Sequence, residues 1–285
     1  MAALIGKVID GYNTFTYTWA DERTKDWFLV GTPFIPMMII YLYLKFIKDW
    51  GPKFMENRQP YDLKNTLLVY NIVQVIYSIY LFYEAASVWK GYSWICEPID
   101  FSNTPTAMRV ARATWLYYMA KYTELLDTVF FVLRKKQNQV SFLHLYHHSM
   151  MIFCGYIGSK FLPGGHGTFL GLINTFVHII MYSYYLLTAL GPNVQKYLWW
   201  KKHITRMQMF QFCLVFLHSL LILRKDCTYP KFVVALLTPN AMFFYFLFND
   251  FYQSAYKKRN AAKAAKLAEE NRKTASQQGE EKKAE

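Results

Sequence analysis

The chain has 285 residues, of which 54% are hydrophobic and 19% aromatic, and its formal net charge is +13. The apolar residues form long runs, and about 20 apolar residues in a helix cross the hydrocarbon core of a bilayer. This pattern excludes an ordinary soluble domain. The basic residues lie between the runs, as in membrane proteins, and not on a soluble fold, which excludes a nucleic-acid-binding protein.

Seven membrane-spanning helices are predicted, which makes the chain an all-α polytopic membrane protein. The spans cover approximately residues 27–47, 65–88, 112–133, 140–158, 167–188, 205–223 and 233–253. The third and fourth are joined so tightly that they are expected to form a helical hairpin. Charged residues interrupt the segment before the first span, so we expect no signal peptide and assign the anchoring role to that span. Residues 1–256 thus form one membrane domain.

The distribution of Lys and Arg predicts how the chain is oriented. Basic residues concentrate in the connections that follow the first, third and fifth spans, and in residues 257–285. Because the side richer in Lys and Arg faces the cytosol, the N-terminus is predicted to be lumenal and the C-terminus cytosolic.

Residues 257–285 are rich in Lys, Glu, Ala and Gln and lack apolar periodicity, so we predict a polar, basic cytosolic tail that is largely disordered. The tail ends in Lys282-Lys283-Ala284-Glu285. This ending resembles a dilysine signal for retrieval to the endoplasmic reticulum, although a Lys-rich tail can also contain such a pair by chance. The interpretation we adopt is a multi-pass protein of the endoplasmic reticulum membrane.

Two of the four cysteines, Cys96 and Cys227, lie in loops that this topology places in the lumen. Disulfides persist in that compartment. A Cys96–Cys227 bond is therefore expected, with two free thiols as the alternative.

Ionisable side chains within spans are costly in a bilayer and mark candidate functional positions. The third span contains Lys121, Glu124, Asp127 and Thr128, which share one broad face of a helix. Lys121 and Glu124 are spaced to neutralise each other. The alternative is an ion pair that serves only helix packing.

The fourth span contains His144, His147 and His148, at positions i, i+3 and i+4 of an apolar helix. A lone helical histidine is usually a core residue, but three at this spacing indicate a functional site. Cys154, about two turns further along, is a weaker candidate nucleophile, because a buried cysteine more often acts as a small apolar residue.

The fifth span carries one polar stripe, formed by Asn174, His178, Tyr182 and Tyr185. The sixth span adds Gln208 and Gln211, again separated by three residues. Hydrogen bonds between membrane helices are the alternative explanation for both sets.

Two kinds of chemistry fit these histidines. A metal site is possible, because imidazole is a common ligand and the box together with His178 could hold one zinc ion; membrane di-iron enzymes, however, use several such boxes. The other use is nucleophilic or acid–base catalysis, in which an amide and a second histidine stabilise an oxyanion.

The chain resembles the ELO family of fatty acid elongases over nearly its whole length. Four family motifs occur in order: K-x-x-E-x-x-D-T at 121–128, H-x-x-H-H at 144–148, N-x-x-x-H-x-x-M-Y-x-Y-Y at 174–185 and T-x-x-Q-x-x-Q-F at 205–212. The resemblance implies seven membrane helices, six of them arranged as two inverted three-helix units around a narrow acyl tunnel.

The resemblance also implies the first, rate-limiting step of fatty acid elongation. In that step a long-chain acyl-CoA and malonyl-CoA give 3-oxoacyl-CoA, CO2 and CoA, with no metal and no cofactor. His147 would form or drive acyl transfer, oriented by His144 and His148, and His178 and Asn174 would stabilise the malonyl-derived enolate. The expected supporting residues are Lys121, Glu124, Asp127, Thr128, Tyr182, Tyr185, Gln208 and Gln211.

The expected partners are long-chain acyl-CoA, malonyl-CoA, the lipid bilayer, the other enzymes of the elongation cycle and a second copy of the chain, but no nucleic acid. The polyanionic CoA would enter from the cytosol and meet basic residues at the tunnel mouth. The candidates are Lys135, Lys136, Lys201, Lys202 and Arg206, which could equally be ordinary positive-inside residues. The stretch 139–143 is similar to elongases of polyunsaturated and very long chains.

Two other classes compete with this interpretation. A membrane metal-dependent fatty acyl oxygenase or desaturase is the enzymatic alternative. A polytopic transporter is the other, because polar residues in mid-membrane also line transport paths. Transporters often have spans broken by Gly or Pro near the site, whereas the histidine-bearing span lacks Pro and its Gly155 and Gly158 lie toward the lumenal end.

Overall fold

The computed structural model describes residues 1–258 and 261, and every regular element in these residues is a helix. The predicted all-α class is therefore confirmed. Lys282 and Lys283, the predicted retrieval signal, and most of the predicted tail lie outside the described residues.

The described residues contain eleven α-helices. In chain order they are α1 (Ala2–Asn13), α2 (Phe34–Lys45), α3 (Gly51–Met55), α4 (Lys64–Trp89), α5 (Pro105–Thr123), α6 (Leu125–Leu133), α7 (Phe142–Phe161), α8 (Thr168–Ala189), α9 (Pro192–Gln195), α10 (Lys201–Leu220) and α11 (Phe232–Tyr252). Wider π-helical turns follow α1, α2 and α11 at Thr14–Thr18, Phe46–Trp50 and Gln253–Lys258. Tighter 3₁₀ turns occur at Gln137–Gln139, Gly165–Gly167 and Leu221–Leu223.

Four helical stretches are long and apolar enough to cross a membrane. They are Lys64–Trp89, Gly165–Ala189, Lys201–Leu223 and Phe232–Tyr256. These stretches correspond to the predicted second, fifth, sixth and seventh spans. The chain is therefore a multi-pass membrane protein.

The remaining three predicted spans are helical but shorter or more polar. The third is divided at Glu124 into α5 and α6, and α5 carries Arg109, Arg112 and Lys121. The fourth, α7, contains the histidine box. The first, α2, has 12 α-helical residues before a π-helical turn begins.

Two predicted span boundaries are wrong. The predicted first span covers 27–47, but residues 27–33 form turns and bends and α2 begins at Phe34, directly after Pro33. Proline has no backbone N–H, so it is favoured at the start of a helix, where that group would have no partner within the helix. The predicted third span begins at 112, but α5 begins at Pro105, where the Thr104 hydroxyl accepts a hydrogen bond from the Ala107 amide. This N-cap adds two turns to the helix.

Six helices pack in a closed ring. Going around it, α4 packs against α5, α5 against α7, α7 against α11, α11 against α10, α10 against α8, and α8 again against α4. The Arg109 guanidinium also donates two hydrogen bonds from α5 to the Glu84 carboxylate on α4, with N–O distances of 2.6 and 3.1 Å. Helix α2 packs outside the ring, against α7.

The ring encloses an apolar cavity of about 120 Å³, lined by α4, α5, α7, α8 and the start of α11. The glycines on its wall matter for packing. The Cβ of an alanine at Gly155 would lie 2.7 Å from the ring of Tyr118, which is fully buried between α5 and α7. Helices α5 and α7 can therefore approach closely only because position 155 has no side chain.

One end of the ring is covered by the N-terminal segment and two loops. The Asp21 amide donates to the Lys160 carbonyl at the end of α7, and the fully buried Lys160 ammonium donates to the carbonyls of Val30 and Gly31. A disulfide joins Cys96 and Cys227, whose Cα atoms lie 5.6 Å apart. These contacts tie the N-terminal segment to the end of α7, and the loop after α4 to the loop before α11.

The close contact at Gly155 gives a test of the packing. Gly155→Ala should lower the free energy of unfolding by about 1–3 kcal/mol, because a buried, hydrogen-bonded tyrosine has little room to move. Gly158→Ala is the matched control on the same helix, since an added Cβ there meets nothing within 4 Å and alanine favours helix. Thermal unfolding in detergent measures both. Equal midpoints for the two variants would contradict the tight α5–α7 contact.

Candidate active site

Lys121 and Glu124 lie at the point where α5 ends and α6 begins, and both are almost completely buried. The Lys121 ammonium lies 2.7 Å from Glu124 Oε1, and both side chains are 2–3% exposed. Each neutralises the other within an apolar ring, where an unpaired charge would be strongly destabilising. The predicted neutralisation of this pair is confirmed.

Two donors orient the amide of Asn174 on α8. Its Oδ1 atom accepts hydrogen bonds from Lys121 Nζ at 3.0 Å and from the Tyr117 hydroxyl at 2.9 Å. The Lys121 ammonium also lies 4.5 Å from the centre of the Tyr117 ring. With its oxygen occupied, Asn174 can present only its NH2 group, a donor, to a ligand.

His178 lies one turn beyond Asn174, and its orientation is set by the same carboxylate. Its Nδ1 atom is 3.2 Å from Glu124 Oε1. A carboxylate accepts hydrogen bonds, so Nδ1 carries the hydrogen and the neutral ring would leave Nε2 as an acceptor. The Glu124 carboxylate thus connects Lys121 with His178, and its second oxygen is buried with no partner among the described residues.

The three histidines of α7 do not form one cluster. The His144 and His148 rings are 4.3 Å apart, and His144 Nε2 lies 2.7 Å from the Thr128 hydroxyl on α6. The Thr128 hydroxyl is itself 2.7 Å from the Tyr43 hydroxyl on α2. This chain of hydroxyl groups fixes His144 and, through the ring contact, His148.

His147 faces a different part of the ring. Its ring lies 5.4 Å from that of His148 and 5.2 Å from that of Phe244 on α11. It lines a small cavity of about 30 Å³ together with polar residues from three other helices: Asn174, Gln211 and Asn240. Of the three histidines in the box, only His147 reaches this cavity.

The small cavity adjoins the larger apolar cavity. Both are lined by the same four side chains, Met151, Cys154, Leu170 and Leu237. The free thiol of Cys154 therefore lies where the two cavities adjoin. The arrangement places a cavity with polar lining groups next to an apolar one.

The other predicted supporting residues lie around this site. The Tyr182 hydroxyl donates to Asp127 Oδ2 at 2.8 Å, while Tyr185 contacts the Tyr182 ring but is 39% exposed. Gln208 contacts the Met181 sulfur at 3.5 Å, whereas Gln211 is buried beside His147 and its Oε1 atom has no partner among the described residues.

The five predicted CoA-binding residues are all exposed, and none lines either cavity. Lys135 and Lys136 lie in the α6–α7 connection, and Lys201 and Lys202 begin α10. Arg206 donates from Nε to the Tyr252 hydroxyl at 2.8 Å.

Sequence reasoning missed three residues that contact the site. Tyr117 and Tyr43 are hydrogen-bonded to Asn174 and Thr128, and Asn240 accepts a hydrogen bond from Tyr146 while lining the small cavity. Asn240 gave a usable signal, since it is a polar residue within an apolar run. The two tyrosines gave none, because tyrosine is abundant throughout this chain.

A metal site was the competing chemistry for the histidine box. Within residues 1–258 and 261, no three His, Cys, Asp or Glu side chains are grouped so that they could hold a metal ion. The His144 and His148 rings contact each other, His144 also contacts Thr128, and His178 pairs with Glu124.

Comparison with known proteins agrees with the motifs. The model of the ELO (GNS1/SUR4) family matches residues 28–264. A very long chain fatty acid elongase of Aedes aegypti is 50% identical over 92% of this chain and 75% of its own length. Very long chain fatty acid elongase 7 of Drosophila melanogaster is 48% identical over 90% and 79%, and human very long chain fatty acid elongase 4 is 44% identical over 91% and 83%. With these matches and the four motifs in place, the chain belongs to the ELO (GNS1/SUR4) family.

Proposed function

We propose that this protein is a fatty acid elongase, a 3-oxoacyl-CoA synthase that condenses a long-chain acyl-CoA with malonyl-CoA to give 3-oxoacyl-CoA, CO2 and CoA. The observation that carries the proposal is the shared cavity of His147 and Asn174, which adjoins a larger apolar cavity. The apolar cavity suits an acyl chain, and the polar cavity suits its thioester. The names of the relatives point to the same activity.

The first half-reaction places the acyl thioester carbonyl at His147. The neutral imidazole attacks the carbonyl carbon, the C–S bond breaks, and the CoA sulfur leaves with the proton that the imidazole gives up. The acyl group is then held on nitrogen while its chain lies in the apolar cavity. His144 and His148, fixed through Thr128, hold the helix turn that carries His147.

The second half-reaction begins when the bound malonyl group loses CO2. The electron pair of the broken C–C bond forms an enolate, whose oxygen needs donors. Asn174 supplies its NH2 group, because its oxygen already accepts from Lys121 and Tyr117. His178, oriented by Glu124, is the second candidate donor, in its protonated form.

The enolate carbon then attacks the acyl carbon, the C–N bond to His147 breaks, and the leaving nitrogen takes up a proton, which restores the neutral imidazole. One proton is consumed overall. Water would protonate the enolate carbon, so the site must exclude water until the new C–C bond has formed. The 2–3% exposure of Lys121 and Glu124 supports a dry interior. In this proposal no resident metal or cofactor takes part, since decarboxylation itself supplies the carbanion.

The proposed architecture has seven spans. Helix α2 is the first, α5 with α6 the third and α7 the fourth. The second to seventh spans are the six members of the packing ring, as two inverted three-helix units around the acyl tunnel. The order of contacts in the ring supports this arrangement, because α5 and α7 lie between two helices that are long and apolar enough to span.

The proposed location is the endoplasmic reticulum, with the disulfide end of the ring in the lumen and the C-terminus in the cytosol. The dilysine ending and the basic connections support it. CoA would then bind from the cytosol near Lys135, Lys136, Lys201, Lys202 and Arg206. The 3-oxo product requires reducing and dehydrating enzymes, which are the expected partners, and a second copy of the chain remains a candidate.

The direct test is incorporation of labelled malonyl-CoA into acyl-CoAs by purified protein in liposomes. A panel of acyl-CoAs from ~16 carbons upward, saturated and polyunsaturated, should give 3-oxo products two carbons longer. His147→Ala should lower the rate by about 10²–10⁴-fold, the usual contribution of a positioned imidazole. His203→Ala is the matched control, since its side chain is exposed and lies outside both cavities.

The same assay separates the competing chemistries. Activity that persists in a chelator supports the metal-free mechanism. Loss of activity to chelator, with recovery on adding iron or zinc, would contradict it. A well-folded protein that gives no product across the whole panel would overturn the condensing-enzyme assignment.

The ion pair can be tested apart from the chemistry. Lys121→Met alone leaves the Glu124 carboxylate buried beside His178 only, and should destabilise the protein by about 3–5 kcal/mol. Lys121→Met with Glu124→Gln should recover most of the stability but not the condensation rate, because Asn174 has lost one of its two donors and His178 has lost the charged carboxylate. Unfolding midpoints and turnover numbers check this. A double variant as unstable as the single variant would show that the two side chains are not coupled.

The proposed topology predicts opposite accessibility for the two ends of the ring. In intact microsomes, protease should remove a C-terminal tag. A membrane-impermeant maleimide should label Cys96 and Cys227 only after both permeabilisation and reduction. Cys96→Ser with Cys227→Ser gives the background from Cys154 and Cys213. Labelling in sealed vesicles, or recovery of the protein outside the endoplasmic reticulum fraction, would contradict the proposal.

A further inference from the structure

Helix α1 has an apolar face that the protein does not cover. Leu4, Ile5, Val8 and Ile9 follow the spacing i, i+1, i+4 and i+5, which puts them on one side of a helix. Their side chains are 52–68% exposed. Exposing four aligned aliphatic side chains to water is unfavourable, because burying each methylene stabilises the protein by about 0.8 kcal/mol.

The C-terminal end of the same face packs against the ends of α2 and α7. Tyr12 stacks on Phe34 at 5.6 Å between ring centres, and Phe15 packs on Phe161 at 5.0 Å. Phe34 is the first residue of α2, and Phe161 is the last of α7. The face of α1 therefore meets the bundle at the level where the helices of the bundle end.

From this contact, the exposed apolar surface continues directly onto the exposed apolar side of α2. Phe34, Met37, Met38 and Tyr41 are 55–66% exposed there. Trp19 and Phe28, at the same end of the bundle, are 67% and 70% exposed. Exposed aromatic rings at the end of membrane helices are typical of the interface between lipid and water.

We infer that α1 lies on the bilayer surface as an amphipathic interfacial helix, with Leu4, Ile5, Val8 and Ile9 inserted among the lipids next to α2. Such helices bury their apolar face about 5–10 Å into the boundary between headgroups and acyl chains. The bilayer is the occupant because the face is continuous with the exposed apolar side of α2, the first span of the proposed topology.

The charge on the polar face of α1 indicates whether the helix prefers neutral or anionic lipid. Lys7 and Asp10 lie on this face, both are exposed, and their charges cancel. Attraction to anionic lipid therefore contributes little, and apolar insertion carries the binding. The helix should associate equally with neutral and with anionic bilayers, unlike basic interfacial helices.

Two engineered cysteines in the full-length chain test the inference. Val8→Cys lies on the apolar face and Asp10→Cys lies on the polar face, and both positions are exposed, so neither change disturbs packing. Each variant is labelled with an environment-sensitive fluorophore and reconstituted in phosphatidylcholine nanodiscs. The parent chain, labelled in parallel, gives the background from Cys154 and Cys213.

A lipid-borne quencher should quench the label at position 8 severalfold more than the label at 10, and aqueous iodide should show the reverse. The difference should persist when phosphatidylserine is added. Ile5→Cys and Lys7→Cys should repeat the pattern one turn earlier. Equal iodide quenching at 8 and 10 would overturn the inference. So would shielding of position 8 that appears only when two chains share a disc, because that result assigns the face to a second copy.

Discussion

The burial of the Lys121 ammonium is the constraint on which the site depends. A charge within an apolar helical ring must be compensated, and the Glu124 carboxylate does so at 2.7 Å. Once paired, the two groups still have hydrogen-bonding capacity that other helices must satisfy. Asn174 on α8 accepts a hydrogen bond from Lys121, and His178 on α8 contacts Glu124. The pair therefore sets the register of α8 against α5, and it orients the two side chains proposed to stabilise the enolate.

The different surroundings of the three histidines in the box follow from the same packing. His144 contacts the Thr128 hydroxyl on α6, His148 packs on the His144 ring, and His147 alone of the three lines the small cavity. Three histidines in one motif thus have two environments. A side chain held between rigid neighbours, next to an apolar cavity, fits chemistry in which the chain is held while its end reacts.

The two ends of the ring are built differently. One end carries the buried Lys160, the disulfide and the N-terminal segment, which together cover the ring. The opposite end carries exposed Lys and Arg in the α6–α7 connection and at the start of α10. A ring covered at one end and basic at the other suits a polyanionic substrate that enters from the basic side and extends its apolar chain toward the covered side.

The sequence by itself determined the helical class, four of the spans and the family motifs, because hydropathy and motif spacing are local properties. It also indicated the Lys121–Glu124 pair, since residues three apart on a helix meet. Only the tertiary structure decided which histidine reaches the cavity, which donors orient Asn174, and that Tyr43, Tyr117 and Asn240 contact the site. The structure also showed that α1 exists and that two spans begin at local caps, Pro33 and Thr104, which hydropathy does not register. The contacts within the site join residues tens of positions apart in the chain, which no local pattern encodes.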